Sequence, residues 1–295
     1  MLFDNNLFTV EKKLLSILLM TIGSVAISFN GLVLRNIETA DDWTIIFYRA
    51  LSFSITIFIY LFFIHKKRIF KKIIQIGISG LIGGFVLGIS NVCFILSMTT
   101  TSVANTVFTI SLIPFITALF SLLILKEKLA QITVYTMIAA FFGVLMMFYG
   151  SLKIGELWGN MLALITAISF SIYTIIIRSN KNIDMLPCLL ISGIMAMGLT
   201  SFQNVGSLQI STHDFFLCFL LGGVLSGFVN CCFVFATRHL IAAEATLFFF
   251  IEIALSPFWV WLFLNEIISP NTLTGGIIIL ISILIRALYL RHNKI

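Results

Sequence analysis

With 60% hydrophobic and 10% charged side chains over 295 residues, and a mean hydropathy of +1.12, this chain is too apolar for a soluble domain and reads as an integral membrane protein. A spanning helix uses about 20 apolar residues, so the length holds about ten spans with their turns and excludes a sizeable soluble domain. The net charge of +6 marks no nucleic-acid partner, because the charges sit between apolar runs rather than on a solvated face.

Lys12 and Lys13 precede a first uncharged run at 14–34, which is longer than a signal-peptide core and has no small-residue cleavage site after it, so this span is expected to be retained. A second span at 44–64 carries Arg49 and is followed by the basic cluster Lys66 to Lys72. The 53 residues between Lys72 and Lys126 hold no charge and read as two helices, 74–97 and 103–125, with a polar hinge at Ser97 to Ser102. Further spans are expected at 131–150, 158–178, 186–204, 214–237, 241–264 and 271–290. The five cysteines, at 93, 188, 218, 231 and 232, lie in apolar sequence without metal-ligand spacing and read as small core residues. No metal and no cofactor are expected.

Loop charges orient the spans. With both termini in the cytoplasm, 15 of the 18 Lys and Arg residues fall on the inner side, Arg35 and Lys153 fall outside, and Arg49 lies within a span. An internal repeat then sets the architecture. A shift of 139 positions matches Gly83, Gly84, Gly88, Asn91, Cys93 and Phe94 to Gly222, Gly223, Gly227, Asn230, Cys232 and Phe233, and continues through Glu127 with Glu266. A shift of 141 pairs Ala26-Ile27-Ser28-Phe29 with Ala167-Ile168-Ser169-Phe170. The expected fold is all-α and integral to the membrane: ten transmembrane helices as two five-helix repeats, 1–150 and 151–295. Five is odd, so the second repeat enters the membrane inverted. The charges agree, since the Lys126-Glu127-Lys128 hinge is basic whereas its partner Asn265-Glu266-Ile267 has no Lys or Arg. Inverted repeats around a midplane site are an architecture of secondary transporters.

Phe47-Tyr48-Arg49, the Thr101-Ser102-Val103-Ala104-Asn105 turn, the repeat ends Leu125-Lys126-Glu127 and Leu264-Asn265-Glu266, and Glu252, Ser256-Pro257-Phe258-Trp259 and Gly275-Gly276 together resemble the EamA-type drug/metabolite transporter superfamily. The resemblance covers nearly the whole chain. It implies a ten-helix bundle with a central cavity lined mainly by helices one, three, four, six, eight and nine, with five and ten more peripheral. It also implies a bacterial inner-membrane setting. Pro114 out of register with Pro257, and Asn265 in place of the usual glycine, depart from the pattern. The family spans amino acids, nucleotide-like metabolites, sugars and drugs, so the substrate does not carry over.

Polar residues inside the spans are the site candidates. Arg49 lies roughly 9 Å inside the outer boundary, where it either snorkels outward to Asp41 or Asp42 or faces the cavity. Glu252 lies roughly 17 Å from the inner end of its helix, too deep to snorkel, and must face protein or water; an ion pair with Arg49 is one reading and a coupling carboxylate the other. Glu244, nearer the cytoplasm, is expected beside Arg238. Asn91 and Asn230 are repeat-related and read either as interhelical glue or as substrate contacts; Asn30 and Asn105 are similar without the repeat's support. Gly84, Gly88, Gly223 and Gly227 give helices three and eight flat packing faces, and Pro114 and Pro257 each free a carbonyl in mid-helix.

No His-Glu-x-x-His, no serine with a histidine base and no P-loop occur, so neither an enzyme nor a nucleotide-driven pump is expected. The reading is a secondary transporter, in the exporting direction, of small polar or amphipathic metabolites. Its partners are a metabolite, a coupling proton or cation, the lipid bilayer and, as an open point, a second copy in a homodimer. The rival reading is a non-transporting scaffold or a lipid-moving protein of the same fold, favoured by a dry, sealed bundle.

Overall fold

The computed structural model describes residues 3–149, 157–203, 208–264 and 269–292. Among the described residues, eight helices are long and apolar enough to cross a membrane: Glu11–Arg35 (α1), Asp42–His65 (α2), Gly77–Thr100 (α3), Val103–Leu125 (α4), Leu157–Ser179 (α6), Thr212–His239 (α8), Ala242–Phe263 (α9) and Pro270–Tyr289 (α10). Two shorter apolar helices, Gln131–Met147 (α5) and Leu186–Ser201 (α7), complete the bundle. Lys153 and Asn265–Ile267, used above for orientation, lie outside the described residues.

Two of these helices start at a serine cap. Ser102 accepts a bond from the Asn105 amide at the head of α4, and Ser211 from the Asp214 amide at the head of α8, replacing the missing backbone acceptor. At the other end of α4 the backbone of Lys126 turns left-handed, at φ 55°, and folds Glu127 back so that its carboxylate accepts from Ser121. Large apolar side chains cover the outer surface, Phe63, Tyr135, Phe216 and Leu284 among them, as lipid contact requires.

The helices pack antiparallel in pairs. Alongside α6, α3 places Gly83 at Ile176, Ser90 at Thr166 and Ser97 at Gly159. In the α2–α7 pair His65 meets Asp184 and Ser54 meets Gly193; in the α5–α10 pair Thr133 meets Arg286 and Met147 meets Thr272. Without a hydrophobic drive between helices in lipid, close approach and interhelical hydroxyl bonds hold such contacts. The glycines provide the approach. A methyl on Gly84 would meet Ile191 and the Cys188 carbonyl of α7, and one on Gly222 would strike the Arg49 carbonyl of α2. Gly88 packs on Met195 of α7, and Gly223 and Gly227 pack on Thr56 of α2. So the α3–α7 and α8–α2 contacts use the same glycine positions of the repeat.

Candidate functional site

Among the described residues, three helices are interrupted midway. The α-helical backbone breaks at Ser28–Phe29 in α1, Ser111–Leu112 in α4 and Leu247–Phe248 in α9. Pro114 stands at the start of the second segment of α4, where its missing N–H is tolerated, and Pro257 lies inside α9. The residues four positions before the two prolines, Ile110 and Ile253, receive no N–H from them and both line the same central cavity.

That cavity measures about 570 Å³. Its polar lining includes Asn30, Arg49, Asn91, Ser226, Asn230 and Glu252; its apolar lining includes Phe94, Phe170, Phe233 and Phe249. A π-helical stretch at Leu220–Ser226 in α8 widens the backbone and delivers Ser226 to Arg49, whose guanidinium donates to its hydroxyl at 3.1 Å. The same guanidinium lies 5.8 Å from the Phe94 ring centre, a cation–π contact. Arg49 therefore faces the cavity rather than Asp41 or Asp42. Glu252 shares the cavity and Arg49's field but makes no direct ion pair with it.

The cavity is unequal at its two ends. Toward one end its lining runs out to Leu34, Met98, Val103, Phe148 and Thr272, which are the ends of α1, α3, α4, α5 and α10. The other end is basic and laced shut. There Arg178 donates to Glu127 at 2.7 Å and to the Thr237 and Arg238 carbonyls, while Glu127 also accepts from the Ala242 amide. Asp184 pairs with Arg238 at 2.9 Å and with His65 at 2.7 Å, and Arg286 pairs with Glu244 at 2.8 Å and donates to Thr133. Each cluster joins the first half of the chain to the second.

Of the sequence-derived candidates, Arg49, Asn30, Asn91, Asn230 and Glu252 are brought together. Asn230 donates to Ser226 of its own helix, not to a neighbour. Asn105 is buried at the head of α4, donating to Thr101, and does not line the cavity. Glu244 corrects the expectation: its partner is Arg286, because Arg238 is held by Asp184 and the Ile183 carbonyl. Helices five and ten are less peripheral than expected, contributing Met147, Phe148 and Thr272 to the cavity. Ser226, the phenylalanines and the Arg178 cluster were not singled out. Thirty phenylalanines give no sequence signal for which ones share a cavity.

The EamA-like transporter family model matches residues 14–149 and again 157–287, so the chain belongs to that family and is a membrane protein of the transporter class. A solved crystal structure shares the fold at a TM-score of 0.73 and 13% identity, covering 90% of this chain and 96% of its own. The curated proteins yield no match.

Proposed function

We propose that this protein is a secondary transporter that moves small polar or amphipathic metabolites by alternating access. The observation that carries this reading is the asymmetric cavity: polar groups at mid-depth, a lining that reaches one end, and an ion-paired seal between the halves at the other. A dry, sealed bundle would have favoured a scaffold or lipid-moving role. In this proposal all ten helices span the bilayer and the two five-helix repeats are inverted. The antiparallel pairing of α2 with α7 and of α5 with α10 supports it, since these are repeat counterparts and an inverted repeat sets counterparts in opposite directions. By the positive-inside rule the basic end and both termini face the cytoplasm, so the cavity described is the outward-facing one. Export, across a bacterial inner membrane, is the direction and setting we assign from the family alone.

Glu252 is the coupling group in this scheme. It is a carboxyl at mid-depth, open to the cavity and within the field of Arg49, so a change in its surroundings between two states changes its proton affinity. In proteoliposomes, Glu252→Gln is expected to abolish transport driven by a pH gradient while retaining substrate exchange. Undiminished pH-driven transport by a well-expressed Gln variant would end the coupling role and leave a facilitator.

A further inference from the structure

One carboxylate at the basic end serves two cations of different kinds. Asp184 accepts from His65 Nε2 through Oδ2, at 2.7 Å, and from Arg238 Nη2 through Oδ1, at 2.9 Å. The two are held differently. His65 ends α2, and Asp184 stands just before α7 and caps it, accepting from the Leu186 amide at 3.3 Å. Since α2 and α7 pack against each other, with Ser54 at Gly193, the His65 contact is built into one helix pair. Arg238 instead reaches in from the α8–α9 hinge through Nη2, which also donates to the Ile183 carbonyl, while its Nε is buried without a partner among the described residues.

Arg238 is a permanent cation, whereas a histidine ordinarily changes charge between about pH 5 and about pH 8. With His65 neutral, the single charge of Asp184 is matched by Arg238. With His65 protonated, the imidazolium matches it at direct contact and Arg238 becomes a surplus cation across the same carboxylate. Water shields this repulsion little, because the side chains of His65, Asp184 and Arg238 are only 13%, 15% and 28% exposed. Among the described residues no second carboxylate lies within ion-pair distance of His65 or Arg238. The flanking helices α3 and α7 hold no Lys, Arg, His, Asp or Glu, and the cluster Lys66 to Lys72 that follows α2 contributes only positive charge. Tyr60 of α2 and Cys231 of α8 stand in the field of Asp184 and carry no charge near neutrality, and His239 turns its Nδ1 to the Phe235 carbonyl. Protonation of His65 and retention of Arg238 therefore oppose each other, so the state with Arg238 withdrawn binds the proton more tightly and is favoured by acid. We infer that His65 is a pH sensor of the basic end, whose protonation releases Arg238 from Asp184 and loosens the seal.

This rests on the basic end being a seal that opens, and one experiment separates the two. The full chain, with its five native cysteines replaced and Val107→Cys in the cavity lining, is reconstituted in liposomes and labelled from the basic side with an impermeant maleimide. The bath on that side is stepped from about pH 8 to about pH 6 while the other side is held constant. Each rate is divided by that of glutathione in the same buffer, which removes the pH dependence of the thiol itself. Acid is expected to raise the corrected rate at least about fivefold, the low end of a typical coupling between sites. His65→Gln and, as an independent variant, Asp184→Asn should abolish this step, whereas His239→Gln and Glu252→Gln should keep it. No step in the parent, a step of opposite sign, or a step that survives in a folded His65→Gln or Asp184→Asn chain would overturn the inference. So would its loss in His239→Gln or Glu252→Gln, which would assign the proton to that group instead. Basic-side labelling of Glu127→Gln/Arg178→Gln without an acid step in the parent would overturn this inference alone. An acid step with undiminished labelling from the other side would mark a pore and overturn alternating access alone.

Discussion

Arg178 shows what one side chain does at the sealed end. Its Nε meets Glu127 while Nη1 reaches the last carbonyls of α8, so a single planar fork ties the α4–α5 hinge to the α8–α9 hinge. Its side chain is 11% exposed and that of Glu127 18%, so removing one partner strands the other in partly desolvated surroundings. Arg178→Gln is expected to lower unfolding stability in detergent by about 1–3 kcal/mol, the range for a charged bond left unmade. Glu127→Gln/Arg178→Gln should cost less than the sum of the singles, a coupling that a double-mutant cycle measures. Strict additivity would show that the two residues do not act as a pair. Depth along a helix was legible at this scale: Arg49, Asn91, Asn230 and Glu252 all reach the cavity. Rotation about the helix axis and reach across the bundle were not. Asn105 faces its own cap, and Glu244 finds Arg286, 42 positions away, because a distant hinge carries Arg238 to Asp184 instead.

Helices in this bundle are shaped by where they touch and where they break. The glycines of α3 and α8 were legible as flat faces, and the structure gives them matching partners, α7 and α2. Gly84→Ala places a methyl 2.7 Å from the Ile191 Cβ and 2.8 Å from the Cys188 carbonyl, so it should destabilise by about 1–3 kcal/mol and reduce folded yield. Gly198→Ala, which meets nothing within 4 Å, is the control and should be neutral or slightly stabilising. Equal thermal shifts for the two would contradict close packing at Gly84. Pro257 works oppositely: inside α9 it offers no N–H to the carbonyl of Ile253, a residue of the cavity wall. Pro257→Ala should leave expression and thermal stability at or above the parent level while lowering transport several-fold; unchanged transport would mean that the free carbonyl has no part in it. Most of the helix boundaries came through from uncharged runs, with α2 and α9 added as spans that contain charge, but the breaks at Ser28–Phe29 and Leu247–Phe248 did not, because no proline or glycine stands at either. The break in α1 lies against α9, with Trp259 donating to the Ser28 hydroxyl at 2.7 Å.

For the whole molecule, the repeat was the most legible feature, since shared asparagine and glutamate in one register are improbable in an apolar chain. The closure of one end was not legible: it is made by Glu127, Asp184, Arg178, Arg238 and Arg286, which in sequence read as ordinary positive-inside loops. Alternating access requires that this seal and the open end exchange. A single cysteine at Val107, which lines the cavity, in a background with the five native cysteines replaced, reports that exchange when labelled by an impermeant maleimide from each side of the membrane. With the seal intact, labelling is expected only from the side opposite the basic end. With Glu127→Gln/Arg178→Gln, labelling from the basic side should appear as labelling from the other side falls. Simultaneous labelling from both sides would mark a pore, and an unchanged pattern in the double variant would show that the ion pairs do not hold the molecule in one of two states.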